Sequence, residues 1–323
     1  MRLLSIFLVQ SICFGCFSES AGAQKKEIFY DQAWKPTTVE NARYYSVVEK
    51  TDSGYLHNDY YLRSGGRTSL QMQALYEDEA GKIGNGYASY FHPNGNLQHS
   101  FRKIHGKTEG DDISLYPNGY LRDSAHYADG KRIGVRFTWH ENGYTADSLV
   151  AINDSMEVQV NWFDDGVPAG AGYLLRGKKH GVWGYNHHNG SKSSIEKYEA
   201  GKLVTAQFYD ETGIAIKTDT SKIEQPPVFK GGLAAYRRYL ENALEWPRDF
   251  HLKNTTSVVL NIQMTLDENG KATNVSVLDP FDPAFDSIAI KAIQDTPKWT
   301  PAKWHNRFVK YRFTQLVTFR DDQ

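Results

Sequence analysis

The sequence has few cysteines, few prolines and almost no excess of charge. Its 323 residues include 2 cysteines and 11 prolines, and 37 basic residues balance 38 acidic ones. Two neighbouring cysteines near the N-terminus exclude a disulfide scaffold, and the scarcity of proline excludes a long proline-rich spacer. Since there is no basic excess, no nucleic-acid partner is expected.

Aromatic residues and glycine, in contrast, are abundant. The chain contains 20 Tyr, 16 Phe and 7 Trp beside 27 Gly. This combination is typical of short β-strands joined by tight turns, and it excludes an all-α architecture. The length suffices for two folded domains.

The first 23 residues have the pattern of an export signal. An apolar run from Leu3 to Phe17 follows Arg2, and Ala21-Gly22-Ala23 supplies the small residues of a cleavage site. We therefore expect an exported protein of the periplasm or cell envelope, with association with the outer membrane left open. Two alternatives remain: a retained membrane anchor, which needs about 20 apolar residues where fewer are present, and lipidation at Cys16.

A turn recurs at a nearly constant interval through the middle of the chain. Six glycines lie 23 or 24 residues apart, each after Asn, Asp or Thr and a run rich in aromatic residues: Gly95, Gly119, Gly143, Gly166, Gly190 and Gly213. Asn-Gly favours a type I′ hairpin turn because both central residues take positive φ. A second turn half a period later, as at Gly106, leaves two strands of about six to eight residues per unit. The repeat predicts stacked β-hairpins over residues 60–215, with residues 24–59 as an N-terminal cap.

The repeat residues resemble a known family. Tyr90-Phe91-His92-Pro93-Asn94-Gly95 and Gly130-Lys131-Arg132-Ile133-Gly134 are similar to elements of the MORN-like (YwqK-type) repeat variant. The resemblance implies an elongated, mainly β array that serves as a binding or scaffolding surface. It implies no chemistry.

Histidine recurs at one repeat position, three residues before the turn glycine, at His92, His140 and His187. Intervening units carry other residues there, so consecutive histidines lie two hairpins apart. That separation is too large for a shared ion held at about 2 Å. We therefore predict surface histidines that the repeat spaces regularly, with no metal ligand set and no cofactor.

The periodicity changes after a polar linker at residues 216–227. A helical pattern follows Gly231-Gly232, and alternation then predicts a strand from Val258 to Leu266. A hairpin turn at Asp267-Glu268-Asn269-Gly270 leads to a second strand at residues 272–278.

A second helix is predicted to begin at Asp282-Pro283, with the carboxylate as N-cap and proline at N1. The last strand is predicted from Phe308 to Phe319. This order of elements predicts an α+β domain over residues 228–323, with two helices on one face of a three-stranded antiparallel sheet. The first strand should be central and the last should lie at an edge.

Four motifs of this domain resemble the C-terminal domain of TonB energy transducers: Pro227-Val228-Phe229-Lys230-Gly231-Gly232, Trp246-Pro247, Asp282-Pro283-Ala284-Phe285-Asp286 and Lys298-Trp299-Thr300-Pro301-Ala302. In that family the domain docks on outer-membrane transporters, and a short transporter segment adds a strand to the edge of the last strand. The resemblance implies a role in transmembrane transport. Because a β-array stands in place of the family's proline-rich spacer, docking carries over further than energy transduction.

An enzyme is not expected. The sequence has no nucleophile elbow, phosphate loop or zinc-binding helix motif. Asp279, Asp282 and Asp286 are explained by a strand-end turn, an N-cap and a first-turn charge. No small-molecule substrate is evident.

The expected function is docking of an outer-membrane transporter segment, or of another envelope protein, by strand addition. The expected partner-binding residues are those of the last strand: Val309, Lys310, Tyr311, Arg312, Phe313, Thr314 and Gln315. Lys310 and Arg312 should select an acidic or polar segment. The alternative is a structural scaffold whose C-terminal domain only caps the array or forms a homodimer.

Overall fold

The computed structural model describes residues 25–63, 68–248, 250 and 257–320. The predicted export signal and both cysteines lie outside the described residues. Within the described ranges, no helix is long and apolar enough to cross a membrane.

The described residues between 25 and 216 form one antiparallel sheet of 17 strands, which we call the array. The strands are β1 (Lys25–Tyr30), β2 (Tyr44–Thr51), β3 (Gly54–Leu62), β4 (Thr68–Tyr76), β5 (Gly84–Phe91), β6 (Leu97–Ile104), β7 (Lys107–Thr108), β8 (Gly110–Leu115), β9 (Leu121–Ala128), β10 (Lys131–Trp139), β11 (Thr145–Ala151), β12 (Met156–Trp162), β13 (Pro168–Leu175), β14 (Lys178–Asn186), β15 (Lys192–Glu199), β16 (Lys202–Tyr209) and β17 (Ala215–Ile216). Each strand pairs with the next along the chain, except that β6 pairs with both β7 and β8. The mainly β hairpin array predicted from the repeat is confirmed. The segment predicted as a cap supplies β1, β2 and part of β3 to the same sheet.

The turn type predicted for the Asn-Gly hairpins is wrong. At Asn94-Gly95 only the glycine has positive φ, at +87°. Gly95 N–H donates to the His92 carbonyl at 2.8 Å, which makes a type I turn closed by a left-handed glycine. Pro93 sits at the second turn position, where its fixed φ favours type I.

Type I′ geometry occurs instead at the second turn of four units. Both central residues have positive φ at four of these turns: His105-Gly106, Asp129-Gly130, Arg176-Gly177 and Ala200-Gly201. The primed turn matches the right-handed twist of its flanking strands, and the glycine supplies one of the two left-handed residues.

Residues 224–320 form the C-terminal domain. Its elements are β18 (Glu224–Gln225), α1 (Gly232–Ala243), β19 (Ser257–Leu266), β20 (Ala272–Val277), α2 (Pro283–Gln294), β21 (Lys303–Trp304), β22 (Arg307–Phe308) and β23 (Tyr311–Arg320). β19 lies at the centre of a three-stranded sheet and pairs antiparallel with both β20 and β23, the strand order that the sequence predicts. Helix α2 begins as predicted, because the Asp282 carboxylate accepts the Ala284 N–H at 2.8 Å and Pro283 follows it.

Among the residues that the structure describes, the core of this domain comes from the domain itself. Leu260, Ile262 and Met264 of β19 are fully buried, and so are Phe285 of α2 and Phe319 of β23. Every buried member of the cluster lies between residues 229 and 319. The domain therefore carries a complete apolar core without help from the array.

The last strand begins later than predicted, at Tyr311 instead of Phe308. Phe308 belongs to a short hairpin, β21–β22, which we call the interface hairpin (residues 303–308). Its turn residues, His305 and Asn306, have φ of +53° and +61°. Two successive left-handed residues reverse the chain, so Val309 and Lys310 connect this hairpin to β23 and lie outside the strand.

Candidate functional site

The outer edge of β23 is the expected docking surface. In the neighbouring strand β19, the backbone N–H and C=O groups of Asn261 face β20, because the Asn261 carbonyl accepts the Leu278 N–H at 2.8 Å. Backbone groups alternate sides along a strand, so Ile262 faces β23, where it opposes Gln315. The backbone of Gln315 therefore faces β19, and that of Thr314 and Leu316 faces away from the sheet.

An open groove runs along the C-terminal half of this edge. It has a volume of about 590 Å³ and lies between α1 and residues 316–320 of β23. No strand pairs with this side of β23 within the part of the chain that the structure describes. The α1 wall supplies Arg237, Leu240 and Glu241, and the strand supplies Leu316 and Arg320. We call this feature the edge groove.

The seven residues expected to bind a partner divide into two groups. Lys310 forms an ion pair with Asp164, and Arg312 pairs with Glu141 at 3.3 Å. Both carboxylates belong to the array, so these two cations are engaged within the chain. Arg312 also lies over the Tyr116 ring, 5.3 Å from its centroid.

The other five lie on or beside β23. Val309 N–H donates to the Ala302 carbonyl at 3.1 Å, and the Tyr311 and Phe313 rings lie 5.9 Å apart. The Gln315 amide donates to the Tyr236 hydroxyl of α1 at 2.5 Å. Thr314 is exposed on the opposite face, so within this group it is the residue most open to a partner.

The interface hairpin inserts His305 into the array. Its Nδ1 donates to both carboxylate oxygens of Glu196 at 3.0 Å, and its ring stacks on Tyr185 with centroids 3.6 Å apart. Burial lowers the pKa of His305, so the neutral ring carries its proton on Nδ1. Its Nε2 can then accept from Lys179, 3.3 Å away.

Glu196 is fully buried and has three donors. Besides His305, the Ser194 hydroxyl donates to it at 2.7 Å and the Tyr198 hydroxyl at 2.6 Å. Because all three groups donate directly to its oxygens, they compensate the buried negative charge of Glu196. This cluster joins strands β14 and β15 to the interface hairpin.

Two further contacts tie the N-terminal end of the array to the C-terminal domain. The Gln32 amide donates to the Val259 carbonyl at 2.9 Å, and the Arg43 guanidinium donates to the Asp279 carbonyl at 3.1 Å. Since Glu196 lies near the other end of the array, the domain contacts both ends.

The prediction that the repeat histidines lie on the surface is wrong for His92 and His187, which are buried. Each histidine Nε2 contacts a carbonyl oxygen of the following unit, as at His92 and Leu115, 2.9 Å apart. Tyr116 uses its hydroxyl in the same way, donating to the Trp139 carbonyl at 2.7 Å. This position therefore links neighbouring hairpins, and the ring must reach inward to do so.

The turn asparagines form a second ladder beside the first. The side-chain amides of Asn94, Asn118, Asn142 and Asn189 each donate to a carbonyl of the next turn, at 2.7 to 2.8 Å. Each bond satisfies a loop carbonyl that the strand ladder leaves free.

The three aspartates near α2 have structural contacts. The Asp279 carboxylate accepts the Asn261 N–H at 2.7 Å, and Asp282 caps α2. Asp286 accepts the Phe281 N–H at 3.2 Å, and burial raises its pKa to about 6. Burial, more than the helix dipole, therefore determines its charge state.

Sequence reasoning missed Glu196, Lys179, His305 and Arg307. Asn306 could have predicted the turn of the interface hairpin, since asparagine tolerates left-handed geometry. The pairing of His305 with Glu196 spans 109 residues and leaves no periodic trace.

No protein-family model matches the chain, and no curated protein matches it. What these residues do must therefore follow from their own geometry and chemistry.

Proposed function

We propose that the C-terminal domain binds an extended segment of a cell-envelope protein by strand addition at the outer edge of β23, without catalysis. The observation that supports this proposal is the edge groove, where the strand edge and α1 leave room for one more chain. Main-chain hydrogen bonds would supply affinity, and the groove walls would supply selectivity.

The charges beside the edge groove modify the expected selectivity. Lys310 and Arg312 are paired with array carboxylates, whereas Arg237 and Arg320 border the groove together with Glu241. A bound segment would therefore meet two cations and one anion along residues 316–320. This favours a polar segment with a slight acidic excess, next to an apolar side chain that covers Leu316.

The sequence resemblances give this proposal its biological setting. A TonB-like domain suggests an outer-membrane transporter segment as the partner, and a MORN-like array suggests a surface that holds the domain in place. An exported protein with these two parts would act in the periplasm or cell envelope.

A second candidate function is a scaffold whose C-terminal domain caps the array. The contacts of Gln32 and Glu196 with this domain favour it, because they reach both ends of the array. In that case the outer edge of β23 would either pair with a second copy of the chain or bind no partner.

Substitution of Leu316 tests the docking proposal in the full-length protein. Leu316→Pro removes an outward N–H without removing a bond to β19, whereas Leu316→Thr keeps the N–H and suits a strand. The partner is first identified by photo-crosslinking from position 318 in envelope extract. We expect the crosslink to be lost in Leu316→Pro and to form as in the wild type in Leu316→Thr.

Equal crosslinking by the two variants would contradict strand addition at this edge. If the crosslinked product is a second copy of the same chain, the scaffold with a homodimer replaces the transporter. The proline variant should then sediment as a monomer while the threonine variant remains dimeric.

A further inference from the structure

An open cavity lies between the array and the C-terminal domain, and its lining residues differ from those of the edge groove. It has a volume of about 360 Å³ and is lined from both sides. The array supplies Trp183, Tyr185 and Lys179, and the interface hairpin supplies Trp304 and Arg307. At about 30 Å³ per water-sized group, it has room for roughly ten non-hydrogen atoms. We call it the interface cavity.

The walls of the interface cavity combine aromatic surface with polar side chains. Trp183 and Tyr185 are buried, and Phe163 lies beneath the Arg307 guanidinium, 4.8 Å from its Cζ to the ring centroid. Such a mixture of apolar walls and a few directed polar groups is the usual composition of a small-molecule site.

Arg307 is only partly used by the protein. Its Nη1 donates to the Ala169 and Asn186 carbonyls, and these two bonds fix the plane of the guanidinium. Its Nε is buried, and no described residue accepts from it. The edge formed by Nε and Nη2 is the side of arginine that binds a carboxylate with two parallel hydrogen bonds.

A second donor of the same cavity lacks a partner. The Tyr185 hydroxyl is buried, and within the described ranges it has no hydrogen-bond partner. Tyr185 and Arg307 both line the interface cavity, and the Arg307 Cζ lies 5.5 Å from the centroid of the Tyr185 ring. A buried donor left unpaired costs about 1–3 kcal/mol, which a bound acceptor would recover.

The carboxylates around the cavity compensate its cations only in part. Lys310 is neutralised by Asp164, and Glu268 lies 3.8 Å from His188, on the side of Lys310. The Glu196 carboxylate raises the pKa of Arg307, and its oxygens already accept three donors. Burial lowers the pKa of both Arg307, to about 10, and Lys179, so an anionic ligand would stabilise two desolvated cations.

We propose that the interface cavity binds a carboxylate carried on an aromatic or apolar group, with the Nε–Nη2 edge of Arg307 as its anchor and the Tyr185 hydroxyl as a second donor. The carboxylate lies against the guanidinium, and the apolar group lies among Trp183, Phe163 and Trp304. Since both the array and the interface hairpin contact the ligand, binding strengthens the contact between the two domains. This site does not depend on strand docking at β23.

Calorimetric titration of the full-length protein with benzoate tests the proposal. Benzamide is the matched neutral probe, because it has the same shape and no charge. We expect saturable binding of benzoate at one site per chain, and binding of benzamide weaker by at least about tenfold. N-acetylalanine, which has as many non-hydrogen atoms as benzoate, and its amide repeat the comparison for a carboxylate at the end of a peptide. Tighter binding of N-acetylalanine than of benzoate assigns the site to peptide C-termini, and the reverse assigns it to small free acids.

Two variants separate ligand contacts from folding. Tyr185→Phe removes a hydroxyl that has no partner within the described residues, so it should leave the melting temperature unchanged or higher while weakening benzoate binding about tenfold. Arg307→Lys keeps the charge and loses the planar fork, so its effect should be larger. Tyr173→Phe is the control, since Tyr173 is exposed on the other face of the array. The proposal is overturned if neither carboxylate binds saturably, if benzamide binds as well as benzoate, or if Tyr185→Phe binds like the control.

Discussion

At the scale of single residues, the fully buried Glu196 and the half-buried Asp286 show how surroundings determine the charge of a carboxylate. Glu196 accepts from His305, Ser194 and Tyr198, so its ionised form is stabilised in a fully buried position. Asp286 accepts one backbone N–H, from Phe281, and burial raises its pKa to about 6. The two carboxylates differ in charge state because they differ in the number of direct donors. Each donor to an ionised oxygen offsets part of the free-energy cost of desolvating the charge.

Asp286 should make the stability of the chain depend on pH. Its pKa is near 3.8 when unfolded and about 6 when folded, so the folded state binds the proton more tightly. The resulting stabilisation is complete below about pH 3.8 and is lost as the pH rises through 6. Asp286→Asn keeps an oxygen for the Phe281 N–H and should stabilise the protein by about 1–2 kcal/mol at pH 7.5, allowing for solvent screening, and by much less at pH 4. Urea unfolding at the two pH values measures this difference, and an equal effect at both would show that Asp286 is not the titrating group.

At the scale of elements, periodicity predicted the strands and local chemistry predicted their ends. Alternation identified β19, and Asp282-Pro283 identified the start of α2, because each depends on neighbouring residues alone. The turn type was missed because Asn94 and Gly95 occupy the third and fourth positions of the turn that begins at His92, and not its two central positions. The start of β23 was missed because its connection to the interface hairpin continues the apolar pattern. The free edge of the last strand could be predicted, whereas the groove beside it depends on how α1 packs.

Gly270 carries a tertiary constraint that its turn alone does not reveal. Its φ is +77°, and a Cβ there would lie 1.9 Å from the Trp299 carbonyl oxygen. Gly143 has a similar φ of +89° and nothing within 4 Å of its Cβ position, so it isolates the cost of the conformation. Gly143→Ala should therefore cost about 1–2 kcal/mol, and Gly270→Ala about 1–3 kcal/mol more. Thermal unfolding of both variants measures the difference. Equal losses would mean that the Trp299 segment moves aside freely.

At the scale of the whole molecule, contacts distant in sequence decide how the two domains meet. Hydrogen bonds join segments more than 100 residues apart. One links His305 to Glu196, and two link the Arg307 guanidinium to the carbonyls of Ala169 and Asn186. Hydrophobic periods describe each strand separately, so they contain no information on this pairing. The interface cavity could not be predicted for the same reason, since its two walls come from different domains.

Removal of the buried carboxylate should uncouple the two domains. Glu196→Ala leaves the Ser194 and Tyr198 hydroxyls and the His305 Nδ1 without their acceptor. Since each unpaired buried donor costs about 1–3 kcal/mol, we expect a loss of at least about 3 kcal/mol. The exposed Lys310–Asp164 pair provides the contrast, because Lys310→Ala should cost less than about 1 kcal/mol. Since the core of the C-terminal domain is complete in itself, Glu196→Ala should divide urea unfolding, followed by tryptophan fluorescence, into two transitions. Wild type and Lys310→Ala should unfold in one. A single transition for Glu196→Ala at the wild-type midpoint would show that the domains are held together by other contacts, such as those of Gln32 and Arg43.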